Sequence, residues 1–391
     1  MALLPRPYPD EAIGSVIARG VWHTGLPLKT LLKSLFGPTK SCSSLLMGTS
    51  FSGLSLATGM DTEELMRSHT VFPYATAFMP ASVRAELTTK ALDPKLGEDC
   101  LGSLTKSVSH GVPFRRLCPV CVMEEMATYG ESYWHRQHLL PGVLVCVIHG
   151  GILASTNIPL RGRAQTRDWL LPHMVPHRPI QTAVPSPTLT RVAELSCQAL
   201  RGQGASDNLL GQYRNRALAL GYTLASGQVA SAAVSRGLNN FYGQDFLADS
   251  GCQMTNGAWP SLMLRPTSNV PFATPKHVLV QTFLELGGGA PDSFASDYEK
   301  PGKKSTDYKR LDSELTLRMK TVLKRAKAKS RRMTVRELLT EAGSWGAFKH
   351  HRSEMPKAEG LVMQFRESDQ AERQIGGREH WRKRHPARYS K

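Results

Sequence analysis

The sequence predicts a mainly α-helical protein with more than one domain, and three observations carry that prediction. Apolar residues recur at the spacing of amphipathic helices through most of the chain. Three cysteines and one histidine are grouped between residues 118 and 150 with the spacing of a metal-binding module. Basic residues are concentrated after residue 300. The chain has 391 residues, which is enough for two or three domains.

The composition excludes several classes of protein. Hydrophobic residues make up 41% of the chain and charged residues 21%, as is typical of a globular protein. No run approaches the roughly 18 consecutive apolar residues that span a bilayer, so we expect no membrane contact. Residues 1–11 contain prolines and acids where a signal peptide has a basic segment and an apolar core. We therefore expect a cytoplasmic protein.

The residues before the cysteine group predict several helices. Residues 11–20 have apolar positions at helical spacing, with Asp10 as a candidate N-cap. Residues 27–36 predict a second helix, which the Gly-Pro pair that follows would end. Residues 61–68 begin with one aspartate and two glutamates, as a helix N-terminus does. The first predicted domain, residues 1–160, is therefore helical.

Two short hooks carry the strongest chemical signal in the chain. Cys118-Pro-Val-Cys121 is followed, after 24 residues, by Cys146-Val-Ile-His149. Each hook places two soft ligands on one tight turn, and together they close a tetrahedral shell around one zinc ion. We predict one structural Zn²⁺ in residues 118–150, because three thiolates and one imidazole leave no open coordination position. The alternative is an accidental CxxC beside a buried cysteine and histidine.

The segment between the hooks contains His135 and His138, which resemble a metal-binding or nuclease pair. The neighbouring Tyr133 and Trp134 predict the small core that a zinc module needs, so we interpret the segment as structural. Residues 142–146 predict a short strand that leads into the second hook. The remaining cysteines have no comparable partners and are expected to be small buried apolar residues.

After the zinc module, residues 161–187 are rich in Pro, Arg and His and predict an extended connector rather than packed structure. His173 and His177 lie four residues apart there, but prolines interrupt a helical face, so we do not expect them to bind metal. The small residues around 226–241 are compatible with a DNA-contacting helix-turn-helix or with ordinary close packing. The predicted middle domain, residues 188–290, is helical, with helices over residues 188–200, 208–220, 226–241 and 275–286.

A linker over residues 291–306 and a basic segment over residues 307–391 are predicted to complete the chain. Residues 300–391 contain 25 Lys or Arg and 11 Asp or Glu, whereas the whole chain has a formal net charge of +17. This concentration is typical of a segment that binds a polyanion, and a solvated basic tail is the alternative. The side chains expected to contact DNA are Lys320, Lys324, Arg325, Lys327, Lys329, Arg331, Arg332, Lys349 and Arg352.

The basic segment has the outline of a helix-turn-helix. After a basic helix over residues 311–329, Thr334 is expected to cap a helix, Glu337 to complete a capping box, and Gly343 to end that helix. Residues 344–352 predict the next helix, which a proline is expected to end. A helix, a glycine turn and a second basic helix together indicate a helix-turn-helix, although many α-hairpins share this outline.

The residues around the two hooks resemble the zinc module of the TniQ/TnsD family of transposon target-selection proteins. An opening motif with Ser15 and Arg19 resembles a second block of that family. The resemblance covers roughly residues 5–290 and is closest to the TnsD branch. The blocks that carry it are Pro7-Tyr-Pro-Asp-Glu11, Phe72-Pro-Tyr-Ala-Thr-Ala-Phe78, Tyr129-Gly-Glu131, Tyr133-Trp-His-Arg136 and Leu140-Pro-Gly-Val143.

This resemblance implies a non-enzymatic adaptor that binds double-stranded DNA, recognises an attachment site, and recruits a TnsC-like AAA+ ATPase and the transposase. Such a bacterial protein would be nucleoid-associated when bound to DNA. The sequence contains neither a Walker A loop nor a GxSxG elbow.

Three alternatives to direct target recognition stay open. The first is a TniQ-type adaptor that docks on a CRISPR effector complex for RNA-guided transposition, although that role would not require a basic C-terminal region. The second is a zinc-stapled nuclease that uses His135 and His138. The third is a zinc-containing transcription regulator that binds an operator without a transposase partner.

Overall fold

Helices dominate the fold, as the sequence predicts. The computed structural model describes residues 4–37, 45–47, 51–93, 96–109, 112–160, 169–177, 184–204, 208–254, 259–266, 271–290, 307–328, 331 and 333–368. Two compact units divide the chain, residues 1–295 and residues 296–391. None of the described helices is both long enough and apolar enough to cross a membrane.

Up to Ser109, the regular elements of the described residues are helices. Their core includes the fully buried side chains of Ile13, Ile17 and Tyr74. The helices are α1 (Ile13–Thr24), α2 (Leu28–Phe36), α3 (Phe51–Thr58), α4 (Thr62–His69), α5 (Phe72–Thr76), α6 (Ala81–Leu92) and α7 (Gly97–Ser109).

Two predicted helix starts had different outcomes. The carboxylate of Asp61 accepts hydrogen bonds from the amides of Glu63 and Glu64, which confirms it as the N-cap of α4. The N-cap of α1 is Ala12, which has no capping side chain, so the prediction for Asp10 was wrong. Asp10 has a φ of 58°, and its carboxylate accepts instead from the Nε atom of Arg136, 126 positions along the chain.

The region of the hooks is built on one helix and one small sheet. Strand β1 (Phe114–Leu117) leads into α8 (Pro119–Tyr129), and it pairs in antiparallel register with β2 (Ala154–Pro159). The predicted strand over residues 142–146 is reduced to a single bridge between Val145 and Ile152.

The predicted connector is packed where the structure describes it. Trp169, Leu171 and Val175 are buried in the N-terminal core, and the indole N–H of Trp134 donates to the carbonyl of Leu170. Burial of these apolar side chains stabilises the packed conformation. The prediction of an unpacked connector, which rested on the proline-rich composition, was therefore wrong for the described residues. Residues 161–168 and 178–183 lie outside the described residues.

The helices after the connector continue the same unit. Helix α9 (Pro187–Leu200) packs Ala193 and Leu200 into the N-terminal core and Val192 and Leu195 into the next core, so the two predicted helical domains share one helix. The predicted helix over residues 226–241 starts later, because Thr223 and Val229 form a bridge across a turn. The helices are α9 (Pro187–Leu200), α10 (Leu209–Ala219), α11 (Ser231–Tyr242), α12 (Gln244–Asp249), α13 (Trp259–Met263) and α14 (Thr274–Leu286).

The second unit has its own apolar core. Its described helices are α15 (Tyr308–Ala328), α16 (Val335–Glu341), α17 (Trp345–His350) and α18 (residues 356–368). Leu315 and Met319 of α15 pack with Leu338 of α16 and Phe348 of α17. The predicted linker over residues 291–306 lies outside the described residues.

Local signals in the second unit are mostly confirmed. The hydroxyl of Thr334 accepts from the amide of Glu337, and the Glu337 carboxylate accepts from the amide of Thr334, which completes the predicted capping box. Gly343 follows with a φ of 76°. Pro356 begins α18 instead of only ending the helix before it, because proline is well placed in a first helical turn.

Candidate metal centre

The two hooks place their ligands by different local devices. Cys118 is the N-cap residue of α8 and Cys121 lies in its first turn, with proline at the first helical position between them. In the second hook, the amide of Cys146 donates to Gly151, and the amide of Gly150 donates back to Cys146, both at 2.8 Å. Gly150 has a φ of 66°, which glycine adopts at little cost and which closes this turn.

The four predicted ligands converge on one point. The Nδ1 atom of His149 lies 3.5, 3.3 and 3.7 Å from the sulfurs of Cys118, Cys121 and Cys146. The sulfurs of Cys121 and Cys146 are 3.8 Å apart. Zinc bonds of about 2.3 Å to sulfur and about 2.0 Å to nitrogen give tetrahedral edges of about 3.8 Å and about 3.6 Å. The ligand atoms therefore fit a tetrahedral Cys3His zinc site.

The three thiols of the cluster shift one another's pKa. Hydrogen bonds from Cys121 and Cys146 lower the pKa of the Cys118 thiol. Hydrogen bonding to Cys118 raises the pKa of Cys121, and it raises the pKa of Cys146 as well. Zn²⁺ binding stabilises the thiolate form of all three cysteines.

A carboxylate lies within hydrogen-bond distance of the other ring nitrogen of His149. The Nε2 atom of His149 lies 3.0 Å from Oε2 of Glu124, on the exposed side of α8. A histidine that binds zinc through one ring nitrogen commonly donates its other N–H to a carboxylate, which fixes the ring orientation. The spacing of the cysteines and histidines gave no role to Glu124, whose only signal in the sequence was its position about one turn after Cys121.

His135 and Glu125 form a buried ion pair beside the zinc ligands. Their Nε2 and Oε1 atoms are 2.5 Å apart, and the other Glu125 oxygen accepts from the amide of Tyr133. Burial opposes the charged imidazole, but the neighbouring carboxylates of Asp10 and Glu125 outweigh it and raise the pKa of His135 to about 9. Cys121, Glu125 and His135 have donor atoms within 4.8 Å of one another. Glu125 and His135 are already paired with each other, so this group needs no metal ion to hold its charged side chains.

His138 lies next to this pair with a ring-centre distance of 4.7 Å from His135. Burial lowers the pKa of His138 to about 3, so its imidazole is neutral. Both histidines are buried, which supports the structural interpretation of the segment.

The opening motif packs directly on the segment between the hooks. The guanidinium of Arg19 bonds Glu11 at 2.8 Å and Glu131 at 2.7 Å, and it lies 3.8 Å from the centre of the Tyr8 ring. The hydroxyl of Ser15 accepts a hydrogen bond from the amide of Trp134. Two sequence blocks that are more than 100 positions apart therefore form one structure.

The candidate DNA contacts in the second unit are mostly exposed. Arg331 pairs with Glu341 at 2.8 Å, and Arg352 pairs with Glu359 at 2.7 Å. Helix α17 ends at His350, so Arg352 lies beyond the helix on which it was predicted. Lys329 and Arg332 lie outside the described residues. The exposed side chains are Lys320, Lys324, Arg325, Lys327, Arg331, Lys349 and Arg352.

The basic part of α15 lacks acidic neighbours in the sequence. Residues 315–336 contain nine Lys or Arg and no Asp or Glu. The buried side chains of α15, including Leu315, Met319 and Val322, follow one helical face. The basic side chains of Lys320, Lys324 and Lys327 recur at helical spacing on the exposed side, where they can meet phosphates.

Comparison with known proteins gives a match for the first part of the chain. Residues 2–153 match the TniQ family. The chain is also 30% identical over 160 residues to the transposon Tn7 transposition protein TnsD of Escherichia coli, which covers 39% of this chain and 31% of that relative. The chain therefore aligns with about a third of the length of this curated relative.

Proposed function

Because residues 2–153 match the TniQ family and part of the chain is similar to TnsD, we propose that the protein selects target DNA for a bacterial transposon. In this role it recognises an attachment site and recruits a TnsC-like AAA+ ATPase and the transposase. It performs no chemistry itself. The proposal rests first on the TniQ match over residues 2–153, which contains the complete Cys3His cluster.

The zinc ion has a structural role in this proposal. All four cysteine and histidine ligands come from the protein, so no position is open for substrate or water. The ion, when bound, supplies a rigid cross-link between the start of α8 and the turn at residues 146–151. That cross-link supports the surface that the N-terminal domain presents to the transposition machinery.

We assign DNA binding to the second unit. The exposed Lys320, Lys324 and Lys327 on α15 and the absence of acids from residues 315–336 support this assignment. Contacts to phosphates would position the protein on the duplex. Lys349 on α17 is the candidate for a contact to a base edge.

Selection of bound fragments from a random DNA pool tests direct target recognition. One enriched sequence is the expected result. Enrichment of a single operator with no binding of the ATPase would instead favour a transcription regulator. If no sequence is enriched, direct recognition is wrong, and copurification with a CRISPR effector complex would then favour the RNA-guided alternative.

Deletion of residues 300–391 tests the division of labour between the two units. The truncated chain should keep its pull-down of the ATPase and lose DNA binding. If it loses both, the assignment of separate functions to the two units is wrong. Zinc content and the circular dichroism of the truncated chain control for misfolding.

A further inference from the structure

Helix α8 exposes large apolar side chains on the side that faces away from the core. Only Cys121 and Glu125 of this helix are buried. The opposite side of a surface helix is ordinarily polar, yet Met123 is 66% exposed and Val120 and Met126 are each more than a third exposed. An exposed cluster of large apolar side chains is the informative exception to ordinary burial.

The turn of the second hook extends this surface. Ile148 is 60% exposed and Val147 is more than a third exposed. The bond between His149 and Glu124 holds this turn beside the exposed side of α8. We call the combined surface the α8 face, and it consists of Val120, Met123, Met126, Val147 and Ile148.

The area and charge of the α8 face indicate what covers it. Its exposed side chains sum to roughly 400 Å², which is the size of patches that are often functional. That is well below the roughly 800 Å² per partner of a standard interface, so it suits one helix better than a second copy of the chain. Glu124 is the exposed charged residue of α8, and residues 119–129 contain no Lys or Arg. A partner helix with basic residues beside its apolar ridge therefore complements this face.

We propose that the α8 face is the surface on which the N-terminal domain binds an amphipathic, basic helix of the AAA+ ATPase. This inference rests on the proposed function, because that function supplies the partner. Methionine side chains suit such a surface, since they adapt to the shape of the helix that packs against them. The two hooks present the face because zinc fixes α8 against the turn that carries Ile148.

Substitutions on the two elements of the face test the proposal with the full-length protein and the purified ATPase of the same transposon. Met123→Glu and Ile148→Glu should each weaken binding by about tenfold or more, as expected when a central apolar contact is lost. Leu56→Glu is the matched control, because Leu56 on α3 is 86% exposed and lies outside the α8 face. It should change binding less than about twofold. Zinc content near one ion per chain verifies that each variant keeps its metal centre.

A charge pair at Ala127, an exposed residue of α8 on the same side of the helix as Val120 and Met123, tests the nature of the partner. Ala127→Lys should weaken binding, whereas Ala127→Glu should preserve or strengthen it, because the docked helix is basic. The opposite order would overturn the proposed partner chemistry.

The possible failures are distinguishable. If the wild-type protein does not bind the ATPase, the proposed function fails and this assignment fails with it. If the wild-type protein binds and Met123→Glu and Ile148→Glu bind equally well, only the α8 face is wrong. If Met123→Glu instead converts a dimer into a monomer in sedimentation, the face joins two copies of the chain and the proposal is overturned.

Discussion

His149 directs one ring nitrogen to the cysteine sulfurs, and its other ring nitrogen lies 3.0 Å from a carboxylate oxygen of Glu124. The bond joins the turn of the second hook to the helix that starts at the first hook. The candidate metal centre therefore includes Glu124 beside its four candidate ligands.

Glu124→Gln should weaken zinc binding by about tenfold, because a carboxylate that accepts a hydrogen bond from a metal-binding histidine contributes that much or more to metal affinity. Competition with a chromogenic zinc chelator measures the change. Glu86→Gln, which removes an exposed carboxylate paired with Lys90, is the control and should leave zinc affinity unchanged. Equal affinity in the wild type and Glu124→Gln would show that the Glu124 contact does not support the metal.

Cys121→Ser and Cys146→Ser should each yield protein without bound zinc and with a protease-sensitive region around residues 118–150. Coupled binding and folding in small zinc modules is worth on the order of 10 kcal/mol, so loss of one thiolate is severe. Elemental analysis measures the metal, with about one zinc per chain expected for the wild type. Cys100→Ser is the control because Cys100 lies outside the cluster. Undiminished zinc in both ligand variants would contradict the site.

Stability should fall in mild acid partly because of His277. Burial lowers the pKa of His277 to about 4, whereas an unfolded histidine titrates near 6.5. The unfolded chain therefore binds more protons between these values, so the contribution of His277 is present above pH 6.5 and is lost as the pH falls towards 4. His277→Phe keeps a ring against Phe78 and removes this titration.

Urea unfolding of the wild type and of His277→Phe at pH 7 and pH 5 measures the effect. Between these two pH values the wild type should lose about 2 kcal/mol more of its free energy of unfolding than the variant does. Using the difference between the two proteins cancels the acid sensitivity of the zinc centre. An identical pH dependence in both proteins would show that His277 is not held neutral by burial.

Asp312 should be a main stabiliser of the second unit. Its carboxylate is buried on α15 and accepts from the amides of Lys357 and Ala358 at 3.0 and 2.8 Å, at the start of α18. Asp312→Ala leaves both amides without that acceptor and should cost about 1–3 kcal/mol.

Hydrogen exchange of residues 356–368 in the full-length protein reports the loss, which should appear as faster exchange in Asp312→Ala. Glu314→Ala is the control on the same helix, because it breaks only exposed pairs with Arg310 and Arg318. If both variants accelerate exchange equally, the cap of α18 is not provided by Asp312.

The basic face of α15 should bind phosphates. Replacing Lys324 and Arg325 by Ala should weaken binding to target and scrambled duplexes alike. It should also flatten the slope of log K against log salt by roughly 0.9 for each lost phosphate contact. Fluorescence anisotropy over a salt series measures both quantities. Lys349→Ala should instead cost about 1–3 kcal/mol on the target alone if it reaches a base edge. If the double variant keeps full affinity and an unchanged salt slope, α15 does not contact phosphates and is only a solvated basic helix.

Features that depend on neighbouring residues could be predicted from the sequence. Each hook spans four residues, so the spacing in Cys118–Cys121 and Cys146–His149 sufficed to predict the ligand cluster found in the structure. The capping box of Thr334 and Glu337 is equally local and is confirmed. Within each hook and within the capping box the partner is at most three positions away, where backbone geometry alone brings the groups together. The contact between the two hooks depends on the fold.

Features that depend on distant partners were decided only by the tertiary structure. Asp10 is a residue type common at N-caps, but its carboxylate accepts a hydrogen bond from Arg136 instead. Arg19 donates a hydrogen bond to Glu131, which lies 112 positions further along the chain. The sequence did mark these residues as blocks of one family, but it did not show that they touch. The sequence by itself therefore determined the helical class, the four candidate ligands and the uneven charge. Only the tertiary structure showed that the opening motif packs on the zinc module and that α8 has an exposed apolar face. The physical reason is that the free energies of burial and ion pairing depend on which distant side chains come together and exclude water.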